Sequence, residues 1–161
     1  MKKLLITGFD AFGGEKVNPS WQAVEMLPET VGEYSLTKLC LPVVFGDAAK
    51  LVISESQRIN PDIILCIGQA GGRESVTPEM IGINLRHASI PDNAGNKPID
   101  EKICEDGNDG YFATVPVRKI ADAINNAGIK SQVSYSAGAY VCNDVLYTLL
   151  KYFDGSDVRI G

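Results

Sequence analysis

Two hydrophobic periods alternate along the chain and predict strands and helices in turn. Short, nearly continuous apolar runs are typical of strands inside a sheet, whereas apolar residues recurring every three or four positions predict amphipathic helices. The predicted strands are residues 2–7, 34–44, 61–68 and one that begins at residue 158, with a further extended segment at 77–85. The predicted helices are residues 19–27 behind an Asn18 cap, 47–58 capped by Asp47, and 117–127 closed by Gly128. This alternation predicts an α/β fold in which helices cover both faces of a mainly parallel or mixed central sheet.

Residues 132–153 carry the clearest chemical signal. Polar and apolar residues alternate up to Ser136, which predicts a short strand, and three small residues then allow a sharp bend. From Val141 the apolar residues recur at helical spacing, so Cys142 is predicted to lie in the first turn of a helix. Unpaired N–H groups and the positive end of the helix dipole favour a thiolate there and can face an oxyanion, as a nucleophile requires. The alternative is a buried cysteine that serves as a small hydrophobic residue.

Composition narrows the class of protein. The 161 residues predict one domain, residues 1–161, with 45% hydrophobic and 22% charged residues. A net charge of −5 without a basic run argues against nucleic-acid and membrane partners, and the N-terminal apolar run is too short for a signal peptide. Four scattered cysteines and one histidine argue against a zinc site or a disulfide framework, so we expect no metal, no cofactor and a cytoplasmic location.

The glycine-rich loop at residues 8–14 invites a nucleotide-binding interpretation, which its details disfavour. Neither the Lys-Ser/Thr pair of a phosphate loop nor the Gly-x-Gly-x-x-Gly pattern is complete. Phe9 and Phe12 could instead line an apolar pocket, or belong to the core. The loop at 69–73 follows a predicted central strand, where open α/β sheets place ligand sites, and the long loop at 90–110 is of a kind that often carries function.

Six segments taken together resemble one family. They are 7–14 (TGFDAFGG), 17–21 (VNPSW), 66–73 (CIGQAGGR), 77–79 (TPE), 90–93 (IPDN) and 134–143 (SYSAGAYVCN). Each is weak alone, but all six follow the order found in the pyroglutamyl-peptidase I (pyrrolidone-carboxylate peptidase) family of cysteine peptidases and extend over nearly the whole chain.

The resemblance implies an enzyme that removes N-terminal pyroglutamyl residues from peptides through a Cys-His-Glu triad. It also implies a three-layer α/β/α sandwich that forms a homotetramer. Carried over by motif, Cys142 is the nucleophile and Glu79 the acidic member of the triad. Six further residues match positions that line the family's pyroglutamyl pocket: Phe9, Phe12, Asn18, Gln69, Ile90 and Val141. Aromatic faces and a few amide groups suit a small neutral lactam, although Asn18 has a rival role as a helix cap.

Two departures from the family pattern bear on activity. The family's histidine lies on a strand that should begin near residues 159–161, so the family's C-terminal strand and helix are expected to be missing. The only histidine, His87, stands where the family does not place its triad histidine, and Ser89 replaces an arginine that the family has near the oxyanion. We therefore expect a peptidase impaired in this 161-residue form. The alternative is a non-catalytic descendant that binds pyroglutamyl or small lactam ligands, or serves as an assembly subunit.

Overall fold

The computed structural model describes residues 1–161 and contains eleven regular elements. In chain order they are β1 (Lys2–Phe9), α1 (Pro19–Glu25), β2 (Thr30–Val31), β3 (Tyr34–Leu41), α2 (Asp47–Ile59), β4 (Ile63–Cys66), β5 (Ile81–Ile83), β6 (Gly110–Phe112), α3 (Val117–Asn126), α4 (Val141–Tyr152) and β7 (Arg159–Ile160). No helix is long and apolar enough to cross a membrane.

A five-stranded sheet in the order β2-β3-β1-β4-β7 forms the centre of the molecule. β1 lies parallel to both β3 and β4, and β4 lies parallel to β7, whereas β2 is antiparallel to β3. The predicted mixed sheet is therefore confirmed. β5 lies within the extended segment predicted at residues 77–85, but its antiparallel pairing with β6 was not indicated by the hydrophobic pattern.

The two faces of β1 pack against different helices. Leu5 and Phe9 belong to one buried cluster with Val52 of α2 and Val145 of α4. On the other face Gly8 lies against α1, where a Cβ would come within 2.7 Å of the Cα of Trp21. Helices thus cover both sides of the sheet, as predicted, and a glycine is required where α1 approaches most closely.

α4 is the most deeply buried helix. Eight of its twelve residues are buried, and they are distributed around its circumference. A helix that is apolar nearly all round belongs in an interior. Its largest buried side chain is Tyr147, whose hydroxyl donates a hydrogen bond of 2.7 Å to the carbonyl of Asn108.

Two local predictions are confirmed and two are wrong. Asn18 caps α1 by accepting from the backbone N–H of Ser20, and the backbone at Gly128 has a positive φ of 83° just beyond α3. Asp47 is not a cap, because α2 begins with Asp47 and its N-cap is Gly46, whose N–H donates to Asp144. The strand predicted before Ser136 is also absent, since this segment forms only isolated bridges.

We expect Gly8→Ala to destabilise the protein by about 1–3 kcal/mol, because the added methyl group would overlap the backbone of α1. Urea unfolding monitored by circular dichroism measures the change. Gly71→Ala is the matched control, since a Cβ there meets nothing within 4 Å. Equal stabilities for the two variants would contradict the close approach of α1 to β1.

Candidate active site

The fold places Cys142 in the first turn of α4, as predicted. It is the second residue of the helix, and the N-cap residue Tyr140 provides no side-chain cap. The sulfur lies against the loop that follows β4, because a Cβ on Gly68 would be 2.8 Å from Sγ and 3.9 Å from the Phe9 ring. The candidate nucleophile therefore lies at the carboxyl ends of β1 and β4, the edge at which open α/β sheets bind ligands.

Two fully buried polar residues fix the start of α4. Asn143 accepts from the N–H of Ile83 at 2.9 Å and donates to the carbonyl of the same residue at 2.9 Å. Asp144 accepts from Arg86 Nε at 2.6 Å and from the N–H of Gly46 at 2.7 Å. Sequence reasoning missed both anchors, although two polar side chains next to each other at the start of an apolar helix were a usable signal.

Glu79 presents two carboxylate oxygens in different surroundings. Oε1 accepts a hydrogen bond of 2.8 Å from Arg73 Nη1. Oε2 is buried and has no hydrogen-bond partner. The charge of Glu79 acts on Cys142, where it contributes to raising the pKa of the thiol. The two predicted catalytic residues thus lie within electrostatic range of each other, and one buried oxygen of Glu79 lacks a donor.

Burial determines the ionisation of Cys142. Loss of hydration raises the pKa of its thiol to about 12, and negative charge on Cys66 and Glu79 acts in the same direction. A backbone hydrogen bond to the sulfur opposes the change but is the weakest contribution. The N–H groups of the helix start act in the expected direction, but desolvation outweighs them. Burial likewise raises the pKa of the Cys66 thiol to about 11.

Three predicted apolar pocket residues lie near the glycine loop or the start of α4. Phe9 is 3% exposed and belongs to the core, with its ring edge near the position of Gly68. Phe12 is partly buried, and its ring centroid lies 6.1 Å from that of Tyr140. Ile90 is 44% exposed, and its Cδ1 lies above the glycine loop near Gly13. An apolar wall is thus present, while contact of these residues with a ligand stays a prediction.

The other three predicted pocket residues differ in burial and in the contacts that their side chains make. Asn18 is buried; its Oδ1 accepts from the N–H and Oγ of Ser20, and its Nδ2 donates to the carbonyl of Asp10. Gln69 is exposed in the loop after β4, whereas the side chain of Val141 is part of the core cluster. The cap role of Asn18 is confirmed, and a ligand contact by any of the three remains a prediction.

The single histidine is engaged elsewhere. His87 Nδ1 lies 2.8 Å from Asp100 Oδ1, and its side chain is 48% exposed. Only its backbone reaches the segment before α4, where its N–H donates to the carbonyl of Ala139 at 2.9 Å. Ser89 is exposed. No imidazole is therefore hydrogen-bonded to Cys142 or Glu79 within these residues.

Comparisons with known proteins agree over the whole chain. The family model for pyroglutamyl peptidase matches residues 2–161. The pyrrolidone-carboxylate peptidase of Staphylococcus saprophyticus is 50% identical over 147 residues, which are 91% of this chain and 69% of that protein. That of Lactobacillus helveticus is 46% identical over 161 residues, which are 99% of this chain and 80% of that protein.

Solved structures of pyroglutamyl peptidases also superpose on nearly the whole chain. Pyroglutamyl peptidase I of Bacillus amyloliquefaciens superposes with a TM-score of 0.96 at 43% identity, covering 100% of this chain and 80% of that one. Pyrrolidone carboxyl peptidase of Thermococcus litoralis superposes with a TM-score of 0.93 at 38% identity, covering 99% and 75% of the two chains.

The raised pKa of Cys142 predicts how its alkylation depends on pH. Between about pH 7 and pH 10 the iodoacetamide rate constant should rise about tenfold per pH unit without a plateau, because the thiol is still mostly protonated. Peptide mapping by mass spectrometry isolates Cys142 from the other three cysteines. The urea-unfolded chain is the control and should level off near its ordinary pKa of about 8.5. A plateau below about pH 8 in the folded protein would contradict this assignment.

Proposed function

The chain belongs to the pyroglutamyl peptidase family, whose members remove N-terminal pyroglutamate from peptides, and we propose that Cys142 is the nucleophile with which it acts. The observation that carries the proposal is the position of the sulfur. It lies in the uncapped first turn of α4, beside Gly68 and the ring edge of Phe9. A ligand at this edge of the sheet would meet both the sulfur and the apolar wall.

The proposed reaction is an acyl transfer in two steps. The sulfur of Cys142 attacks the carbonyl carbon of the pyroglutamyl residue, and the N–H groups of the first turn of α4, which have no acceptor within the helix, stabilise the resulting oxyanion. The thiol proton passes to the leaving amine as the C–N bond breaks, which leaves a thioester on Cys142. Water then hydrolyses the thioester and releases pyroglutamate.

This sequence of proton transfers requires a general acid–base beside the sulfur. With a pKa of about 12, Cys142 is a neutral thiol at physiological pH, and the leaving amine also needs a proton. The unpartnered Oε2 of Glu79 is the acceptor that would hold the N–H of an imidazole-type base. The imidazole of His87 pairs with Asp100 instead, and we infer that turnover without such a base is slower by about 10²–10⁴-fold.

The pocket proposal follows from the chemistry of the ligand. A pyroglutamyl ring is small, neutral and nearly flat, so it needs apolar surfaces and a few hydrogen-bonding groups rather than a cation. Phe12 and Ile90 would supply apolar surface, the ring edge of Phe9 lies beside Gly68, and Gln69 would supply an exposed amide in the adjoining loop. Asn18 and Val141 would support the pocket from beneath, because both side chains are buried.

Location and assembly are proposed on more general grounds. We infer a cytoplasmic location, because all four cysteines are free thiols and such proteins are typical of reducing compartments. We also infer a homotetramer, as in the family that the chain resembles. Exposed apolar side chains such as Phe112 and Ile129 are compatible with contacts between subunits.

A non-catalytic binding protein is the second candidate. It is favoured by Ser89 at the position where the family has an arginine, and by the engagement of His87 with Asp100. Under this alternative the chain would bind pyroglutamyl peptides without cleaving them.

Added imidazole should restore hydrolysis of L-pyroglutamyl p-nitroanilide by the 161-residue polypeptide. The rate is expected to rise in proportion to unprotonated imidazole, because the free base would occupy the place beside Glu79 Oε2. Cys142→Ser should abolish the activity. Glu79→Gln should lower the imidazole-dependent rate at least about tenfold, since it removes the charge that orients the base.

Cys66→Ser is the matched control and should retain imidazole-dependent turnover, because it removes a neighbouring thiol without touching the proposed triad. Tight binding of the anilide without turnover at any imidazole concentration would favour the binding protein. Turnover that needs no imidazole and disappears in His87→Ala would instead identify His87 as the base.

A further inference from the structure

Arg73, in the loop that follows β4, makes a dense set of side-chain contacts beside the candidate active site. Its Nη1 lies 2.6 Å from Thr77 Oγ1, 2.8 Å from Glu79 Oε1 and 3.3 Å from Ser134 Oγ. Its Nη2 donates to the carbonyl of Ser136 at 3.0 Å. One guanidinium group therefore connects three separate segments, those of residues 69–73, 77–79 and 134–136.

The backbone of this region does not depend on Arg73. The N–H of Met80 donates to the carbonyl of Ser134 at 2.8 Å, and the N–H of Ser134 donates to the carbonyl of Pro78 at 2.9 Å. These bonds hold the segment of Glu79 against the segment that leads into α4. Loss of the Arg73 side chain should therefore leave the local chain path intact.

The contact with Arg73 explains the unequal environments of the two Glu79 oxygens. A buried carboxylate oxygen without a partner is unfavourable, and an unrestrained side chain would turn that oxygen towards water. The hydrogen bond between Arg73 and Oε1 opposes this rotation. Oε2 is thereby kept buried and available to a further donor.

We propose that Arg73 is a positioning residue for the peptidase reaction: it holds Oε1 of Glu79 so that Oε2 remains directed at the base that serves Cys142. The proposal rests on the proposed role of Glu79 and adds a residue to the machinery that acts through it. Arg73 also offsets the negative charge of Glu79, which otherwise acts more strongly on the sulfur of Cys142.

A double-mutant cycle on the alkylation of Cys142 tests the proposal without requiring turnover. At one fixed alkaline pH, Arg73→Met should slow the iodoacetamide reaction about 3- to 10-fold, because the carboxylate of Glu79 is then uncompensated. On a Glu79→Gln background the same substitution should have no further effect, since no charge remains to compensate. Arg73→Lys should give an intermediate rate. Arg118→Met is the matched control, because Arg118 contacts Tyr135 at 3.0 Å and makes no bond to Glu79.

The imidazole-dependent assay provides the second readout. Arg73→Met should lower kcat about tenfold and leave KM within about twofold, because the substituted residue does not contact substrate. An unchanged alkylation rate, or an equal slowing with and without the Glu79 carboxylate, would overturn the proposal. Coupled alkylation together with no turnover at any imidazole concentration would leave the pairing of Arg73 with Glu79 standing and would count against the peptidase role of Cys142.

Discussion

The anchoring of the first turn of α4 by buried polar side chains is the constraint on which the rest of the site depends. Asn143 and Asp144 are both fully buried, and each hydrogen-bonds to segments far away in the sequence. Asp144 is fully buried whereas its partner Arg86 is partly exposed, so removal of Arg86 would leave a buried charge with one partner fewer, which is destabilising. Such contacts define the rotation and axial position of α4. Since Cys142 immediately precedes them, they also define where its sulfur lies.

Two opposing effects act on that sulfur, and burial is the larger. A helix start supplies unpaired N–H groups that favour a thiolate, as the sequence pattern led us to expect. The helix that supplies them is also the most buried one, so the sulfur loses hydration, and its pKa rises to about 12. Cys142, the proposed nucleophile, therefore stays protonated until a base is present. Arg73 binds one carboxylate oxygen of Glu79 and leaves the other without a partner, within electrostatic range of the sulfur.

The sequence predicted local structure best where the residues of a single helix or strand determine it. The hydrophobic period placed α4 and Cys142 correctly, and the Asn-Pro-Ser motif identified Asn18 as a cap. It failed where distant segments decide the local structure. The start of α2 depends on a bond from Gly46 to Asp144, 98 residues away, and the pair β5–β6 depends on residues nearly thirty positions apart. No local period encodes such contacts.

The candidate site likewise combines features that a local motif predicts with features that depend on distant segments. Motifs singled out Cys142 and Glu79 as candidates, but the loss of hydration at Cys142 and the contact of Arg73 with Glu79 arise only when distant segments meet. A charged residue in a glycine-rich loop is ordinarily solvated, so sequence alone gave Arg73 no special weight.

The most direct test of the central claim is a search for the acyl-enzyme. The 161-residue polypeptide is mixed with imidazole and L-pyroglutamyl p-nitroanilide, quenched in acid during turnover and mapped by peptide mass spectrometry. The account predicts a mass gain of one pyroglutamyl group on the peptide that carries Cys142, and none on that peptide in Cys142→Ser. Turnover accompanied by no acylation, or by acylation at Cys40, Cys66 or Cys104 instead, would contradict it.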